Sequence, residues 1–230
     1  MIGFYDYTVW LTYFSLISAV VGIFVAQAGP GHPYVAAIFL LFSGLCDAFD
    51  GIVARTKKDR TIQQKKYGIQ IDSLADLVAF GVLPACIGAA IYKSMLLLEP
   101  RPEQALVLAV PYPVFVVIFV LYILAALIRL AYFNVTAEHS CEEEKAVKTY
   151  TGLPVTSAAL IFPAFLLLRH LLGRDIAIFY YGVMLLTACL FVSRFNIRKP
   201  GLRGVLLMVA FGALEFILIL VVKYYGARAF

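Results

Sequence analysis

The sequence predicts an all-α integral membrane protein, a polytopic helical bundle. Of its 230 residues, 63% are hydrophobic and 14% charged. A soluble domain is roughly half apolar, with about a quarter of its residues charged. Seven apolar runs approach or exceed the ~20 residues that a helix needs to span a bilayer. The basic residues behind the net charge of +5 stand in short clusters between those runs. That is the pattern of membrane-topology signals, so no nucleic-acid partner is expected.

The runs lie near 7–28, 34–55, 69–98, 106–134, 153–172, 176–194 and 204–224. "GPGHP" separates the first from the second, "EPRPE" the third from the fourth, and "LGRD" the fifth from the sixth. The third and fourth exceed a bare span and predict tilt or projection into water. "RTKKDRTIQQKK" and "SRFNIRKPGLR" hold most of the loop Lys and Arg, and both fall on one side if all seven runs cross. Positive loops face the cytoplasm. The N-terminus is therefore expected in the cytoplasm and the C-terminus outside. Ala26 and Ala28 follow an apolar run as at a signal-peptidase site, but "MIGFYDY" has no Lys or Arg, so a retained span is expected. Residues 1–230 read as a single membrane domain. The cysteines (Cys46, Cys86, Cys141, Cys189) lack CxxC spacing and the three histidines show no ligand pattern, so no disulfide framework or zinc site is expected.

The second run ends in "CDAFDGIVAR". A carboxylate near the centre of a membrane helix costs roughly 2.5 kcal/mol or more, yet two stand here. Asp47 and Asp50 are three residues apart and share a helix face. The third run opens with "YGIQIDSLADLVAFG", where Asp72 and Asp76 are four apart and share a face as well. One basic loop joins the two runs, so an antiparallel hairpin brings both pairs to similar depth. Four converging carboxylates repel one another, and a divalent metal among them is the simplest remedy. Oxygen-only ligands suit Mg²⁺, Mn²⁺ or Ca²⁺. Gly51, Ala54 and Gly68 leave room for a ligand to approach, and Arg55 supplies a planar cation suited to phosphate. Together these residues predict a bound pyrophosphate, with two metals serving a displacement. Taken singly, each has a plain alternative: a solvated boundary Asp, a loop cap, or small residues for close helix packing.

The combined pattern is Asp-x2-Asp-Gly-x2-Ala-Arg-x12-Gly-x3-Asp-x3-Asp. Asp47, Asp50, Gly51, Ala54, Arg55, Gly68, Asp72 and Asp76 resemble the signature of the CDP-alcohol phosphatidyltransferases. The gap from Arg55 to Gly68 is longer than is usual in that family. "YGIQIDSLADLVAFGVLPA", with Ser73 before "LAD", resembles the phosphatidylserine synthase branch, as do "RLAYFNV" at 129–135 and "TGLPVTSAA" at 151–159. The resemblance implies six core helices around a polar cavity open to the cytoplasm, with the seventh span added at the C-terminus. It implies transfer of phosphatidyl from CDP-diacylglycerol to L-serine, with release of CMP. Asp47, Asp50 and Asp72 would hold Mg²⁺ or Mn²⁺, as two ions. Asp76 would complete the metal site and act as general base. Gly51, Ala54 and Arg55 would meet the CDP moiety beside Gly68. A homodimer in the plasma membrane is expected, with its site at the cytoplasmic face.

Serine carries a carboxylate, which calls for a cation. Arg129, at the cytoplasmic end of the fourth run, is the leading candidate; the plain alternative is a snorkelling arginine. Asn134 offers a neutral hydrogen bond. Thr151 and Gly152 open the fifth run, where helix N-terminal N–H groups favour an anion. Ser73 is a small residue that either touches substrate or only permits packing. "CEEEK" at 141–145 reads as a solvated face, and Lys148 either aids the acceptor or balances those glutamates. Glu215, inside the seventh run, has no evident partner. Two other functions stay open. One is the same chemistry on glycerol 3-phosphate, inositol phosphate or another alcohol. The other is a divalent-cation transporter, which would place its carboxylates near the midplane rather than at one face.

Overall fold

In a computed structural model, residues 3–54, 56–57, 59–97, 110–142, 149–171, 177–198 and 202–226 are described. Arg55, Lys148 and Glu143–Lys145 lie outside them.

A short 3-10 turn, Tyr7–Val9, leads into α1 (Trp10–Gln27). The "GPGHP" break follows, where Gly29 and Gly31 take φ of 49° and 93°. Gly31 also abuts a neighbouring helix, since a Cβ there would stand 2.9 Å from Ala90 O. Pro33, whose fixed φ suits a first helical position, then opens α2 (Pro33–Ala54).

α3 (Ile62–Asp76) begins well before the expected 69. The reason is local. Thr61 and Gln64 form a capping box, with Gln64 N donating to Thr61 Oγ1 (3.2 Å) and Thr61 N to Gln64 Oε1 (3.0 Å). The helix runs on through a π-helical stretch, Leu77–Val82, into α4 (Leu83–Leu97). Pro84 brings no N–H to this rod. Tyrosine hydroxyls from other helices serve its carbonyls: Tyr122 donates to Phe80 O (2.7 Å), Tyr180 to Pro84 O (2.8 Å) and Tyr181 to Gly88 O (3.1 Å). All three rings are buried, as the apolar part of the core requires.

α5 (Tyr112–Glu142) starts later and ends later than the expected 106–134. A strand, β1 (Thr149–Thr151), precedes a 3-10 turn and α6 (Ala158–Leu171). α7 (Ala177–Val192), β2 (Asn196–Arg198) and α8 (Leu202–Gly226) complete the order. β1 pairs antiparallel with β2, Tyr150 opposite Ile197. This two-stranded ribbon has no counterpart in the sequence expectation, because three-residue strands carry no periodic signal.

Among the described residues, five helices are long and apolar enough to cross a membrane. Two shorter apolar helices, Val155–Leu168 and Ile178–Val192, stand at the fifth and sixth predicted runs. The protein is thus a polytopic helical membrane protein, and its apolar outer surface needs lipid. α1 and α2 pack most closely, through small residues. Ser43 Oγ donates to Ser15 O (3.0 Å), Ser15 Oγ to Ser43 O (3.3 Å), and Ser18 Oγ to Phe39 O (2.8 Å). α2 also meets α6, where a Cβ on Gly44 would lie 2.5 Å from Ala159 Cβ. α3 meets α5.

Candidate active site

The hairpin brings Asp47 and Asp50 of α2 against Asp72 of α3. One carboxylate oxygen from each lies within 4.8 Å of the others. At that separation each pair of charges repels by about 3.5 kcal/mol at an effective dielectric of 20. Among the described residues no Lys or Arg forms an ion pair with any of the three. Thr12 of α1 donates to Asp50 Oδ2, at a long 3.4 Å. A hard divalent cation fits this set of three converging oxygen donors.

Asp76 is not in the three-carboxylate group. It sits one turn further along α3, 7% exposed, immediately before the π-helical stretch. Its carboxyl is close enough to feel the charges of Asp47, Asp50 and Asp72, so all four expected aspartates belong to one neighbourhood.

A cleft of about 220 Å³ opens beside Asp50 and Asp72. Thr8, Val9 and Thr12 form one wall, Gly51 and Ala54 another, and Gly68 and Ile69 a third. Among the described residues, no atom of another element lies within 4 Å of where a Gly51 Cβ would be. Gly68 is the opposite case: its Cβ would stand 2.6 Å from Arg60 Nη2. Arg60 and Lys65 enter the same cleft from the loop and the first turn of α3. Sequence reasoning read both only as topology charges. The lengthened gap before Gly68 was the available signal.

The N-terminal segment straps this loop. Asp6 Oδ2 pairs with Lys57 Nζ at 3.0 Å, Tyr7 and Thr56 hydroxyls meet at 3.1 Å, and the Phe4 and Tyr67 rings stack edge-on. The Thr8 hydroxyl and N–H also donate to Asp6 Oδ1. Those bonds, the Thr8 hydroxyl above all, hold the Asp6 carboxyl down at about 2, against the partial burial that would raise it.

Asn134 and Arg129, both expected in the serine pocket, lie on α5 and bond to different neighbours. Asn134 meets α3, where Ser73 Oγ donates to Asn134 Oδ1 (2.5 Å) and Asn134 Nδ2 to Gln70 Oε1 (3.4 Å). This puts a polar pair on the residue next to Asp72. Arg129 is 6% exposed, so it does not snorkel. Its Nε donates to Leu153 O (3.2 Å), and its guanidinium stands 6.0 Å from the Phe133 ring centre.

Thr151 and Gly152 do not open a helix, which corrects the expectation of an anion site there. Thr151 belongs to β1, and α6 begins only at Ala158. Gly152 has φ +79°, and its N–H is committed to Phe195 O at 2.6 Å. Its role is a turn that lets the ribbon close on α7. Glu215 is 2% exposed, with neither oxygen hydrogen-bonded among the described residues.

The sequence model of the CDP-alcohol phosphatidyltransferases matches residues 8–222, nearly the whole chain. The chain belongs to this family. The match covers both carboxylate pairs and reaches into every helix described above. The chain is 30% identical over 195 residues to a CDP-diacylglycerol–serine O-phosphatidyltransferase of Helicobacter pylori, covering 83% of this chain and 70% of that relative. It is 32% identical over 161 residues to the enzyme of the same name from Saccharomyces cerevisiae, covering 68% of this chain and 51% of the relative. An archaetidylserine synthase of Methanothermobacter thermautotrophicus is 32% identical over 138 residues, 60% of this chain and 48% of that relative. The chain therefore spans about half the length of the yeast and archaeal relatives.

Proposed function

We propose that this protein transfers the phosphatidyl group of CDP-diacylglycerol to the hydroxyl of L-serine, giving phosphatidylserine and CMP. The observation that carries this reading is the grouping of Asp47, Asp50 and Asp72 within 4.8 Å beside an open cleft. The chain's similarity to phosphatidylserine synthases supports serine as acceptor. In this reading residues 1–230 form one membrane domain, which works as a homodimer in the plasma membrane with its site at the cytoplasmic face. The cleft then lies where a lipid phosphate meets water-soluble serine.

Asp47, Asp50 and Asp72 would hold the divalent metal, taken as two ions of Mg²⁺ or Mn²⁺, with Asp76 completing the site. When bound, the metal supplies positive charge that stabilises the attacking and leaving oxygens. Gly51 and Ala54 let the nucleotide part of the donor approach α2, and Gly68 does the same on α3. Arg55 is assigned to the CDP moiety by the family resemblance alone. Asp76 accepts the proton of the serine hydroxyl on a carboxylate oxygen. The freed oxygen attacks the phosphorus that bears diacylglycerol. The bond from that phosphorus to the CMP oxygen breaks, and CMP leaves with the electron pair. The burial of Asp76 one turn beyond Asp72 supports a role within the same site. Asn134, held by Ser73 beside Asp72, positions the acceptor, with Arg129 contributing from the same helix.

The purified full chain should release CMP and form phosphatidylserine from CDP-diacylglycerol and labelled serine, in Mg²⁺ or Mn²⁺. CMP release with glycerol 3-phosphate or inositol phosphate but not serine would reassign the acceptor. No CMP release with any alcohol would overturn the enzyme reading. Asp76→Asn should bind CDP-diacylglycerol and turn over none of it; full activity would remove Asp76 as base.

A further inference from the structure

We propose that Arg60 is a substrate-binding residue that holds the diphosphate of the nucleotide-lipid donor. This rests on the reading of the cleft as the donor site.

Arg60 belongs to the loop between α2 and α3, outside the aspartate signature. Its guanidinium enters the cleft that Asp50 and Asp72 border. It lies over Gly68, where any side chain would collide with Nη2 at 2.6 Å. Its own bonds are few and long. Nη1 donates to Ala54 O at 3.5 Å and Nη2 to Gln64 O at 3.2 Å. Nε is buried and has no hydrogen-bond partner among the described residues. Among the described residues no carboxylate lies within ion-pair distance of it. A buried donor left unpaired is destabilising, and a guanidinium is built to bind phosphate oxygens two at a time. An anion in this cleft would meet the Arg60 guanidinium that lines it.

The surroundings select the anion. One wall carries carboxylates grouped for metal, and the loop side carries the guanidinium, with Lys65 beside it. A ligand that meets both must offer oxygens to a metal and to an arginine together. A diphosphate does so with several oxygens on two phosphorus centres, whereas a cytidine ring carries no anionic oxygen. The lengthened loop thus adds a phosphate contact of its own.

The test uses the full chain with Mn²⁺ and the variants Arg60→Gln and Arg60→Lys. The measurements are KM for CDP-diacylglycerol at saturating serine, and inhibition by CDP and by cytidine. Arg60→Gln should raise the KM and weaken CDP inhibition by about 10- to 100-fold, the range for a lost bond to a charged group. Inhibition by cytidine and the KM for serine should not move. Arg60→Lys keeps the charge but lacks Nε, and should fall between Gln and the native protein. Equal loss of CDP and cytidine inhibition would make Arg60 a loop-shaping residue and overturn the proposal. Unchanged CDP inhibition in Arg60→Gln would overturn it as well. If Arg60→Gln fails to fold, Arg60→Lys decides: a native KM with native CDP inhibition refutes the contact. Failure of the native protein to release CMP is a different result, which strikes the proposed function. Direct calorimetric binding of CDP to the native and variant proteins would then still decide the role of Arg60.

Discussion

Two glycines on α2 make opposite claims about their surroundings, and alanine distinguishes them. Gly44 faces α6, and a Cβ there would be 2.5 Å from Ala159 Cβ. Neither atom is the end of a flexible chain, so the helices must part. Gly44→Ala should lose about 1–3 kcal/mol, the usual cost of overpacking. Gly51, two turns on, borders the cleft, and its Cβ would meet nothing within 4 Å. Gly51→Ala should therefore stabilise the fold, by roughly 0.5 kcal/mol, since alanine loses less backbone freedom in a helix. Its cost should come only when the donor fills the cleft. A misfit of about 1–3 kcal/mol corresponds to roughly a 5- to 150-fold rise in KM for CDP-diacylglycerol. Thermal unfolding in detergent and steady-state CMP release measure the two effects on one sample. The reasoning fails if Gly51→Ala is destabilised like Gly44→Ala. It fails equally if the variant is stable and its KM is native, for then the cleft beside Asp50 does not hold the donor.

Four further outcomes follow from the geometry. Asp72→Asn removes one of three grouped oxygens and relieves their repulsion, so it should weaken Mn²⁺ binding, read by electron paramagnetic resonance, without lowering thermal stability. Gly152→Ala forces a side chain into φ +79° and within about 3 Å of the carbonyls of Ser193 and Phe191, and should lose roughly 1–3 kcal/mol in thermal unfolding. Glu215→Leu replaces two buried, unpartnered oxygens with an apolar group; it should raise thermal stability by about 1 kcal/mol and leave CMP release unchanged. Asp6 has a folded pKa of about 2 against 3.8 in the unfolded chain, so its tether to Thr8 and Lys57 is in force above about pH 4 and is lost as pH falls through about 2. The Thr8 hydroxyl is the largest cause, so Thr8→Val should raise the Asp6 titration seen by NMR more than Lys57→Ala does.

The aspartates were readable because their message is local. Spacings of three and four put each pair on one helix face whatever the rest of the chain does. One short loop between two apolar runs then leaves an antiparallel hairpin as the simplest arrangement. The membrane class was equally plain, since burying so apolar a surface in lipid needs no knowledge of the packing. The start of α3 was legible too, in the Thr61–Gln64 capping box, but the apolar pattern pointed to a later residue. The contacts that place the hairpin were not legible. They depend on the fit of α2 against α1 and α6, which small residues such as Ser43 and Gly44 allow.

The sequence by itself determined a helical membrane protein with a metal-suited carboxylate pair at each arm of one hairpin. Hydropathy and helical periodicity act over short stretches, so a single chain displays them. Only the tertiary structure decided which distant groups share the cleft. Thr12 reaches Asp50 from another helix, Asn134 reaches Ser73 across sixty-one residues, and Arg60 lies over Gly68 because the loop folds back. It also turned Gly152 from an anion site into a hinge of the β1–β2 ribbon. Contacts at such separations arise from packing the whole bundle, and no local pattern encodes them.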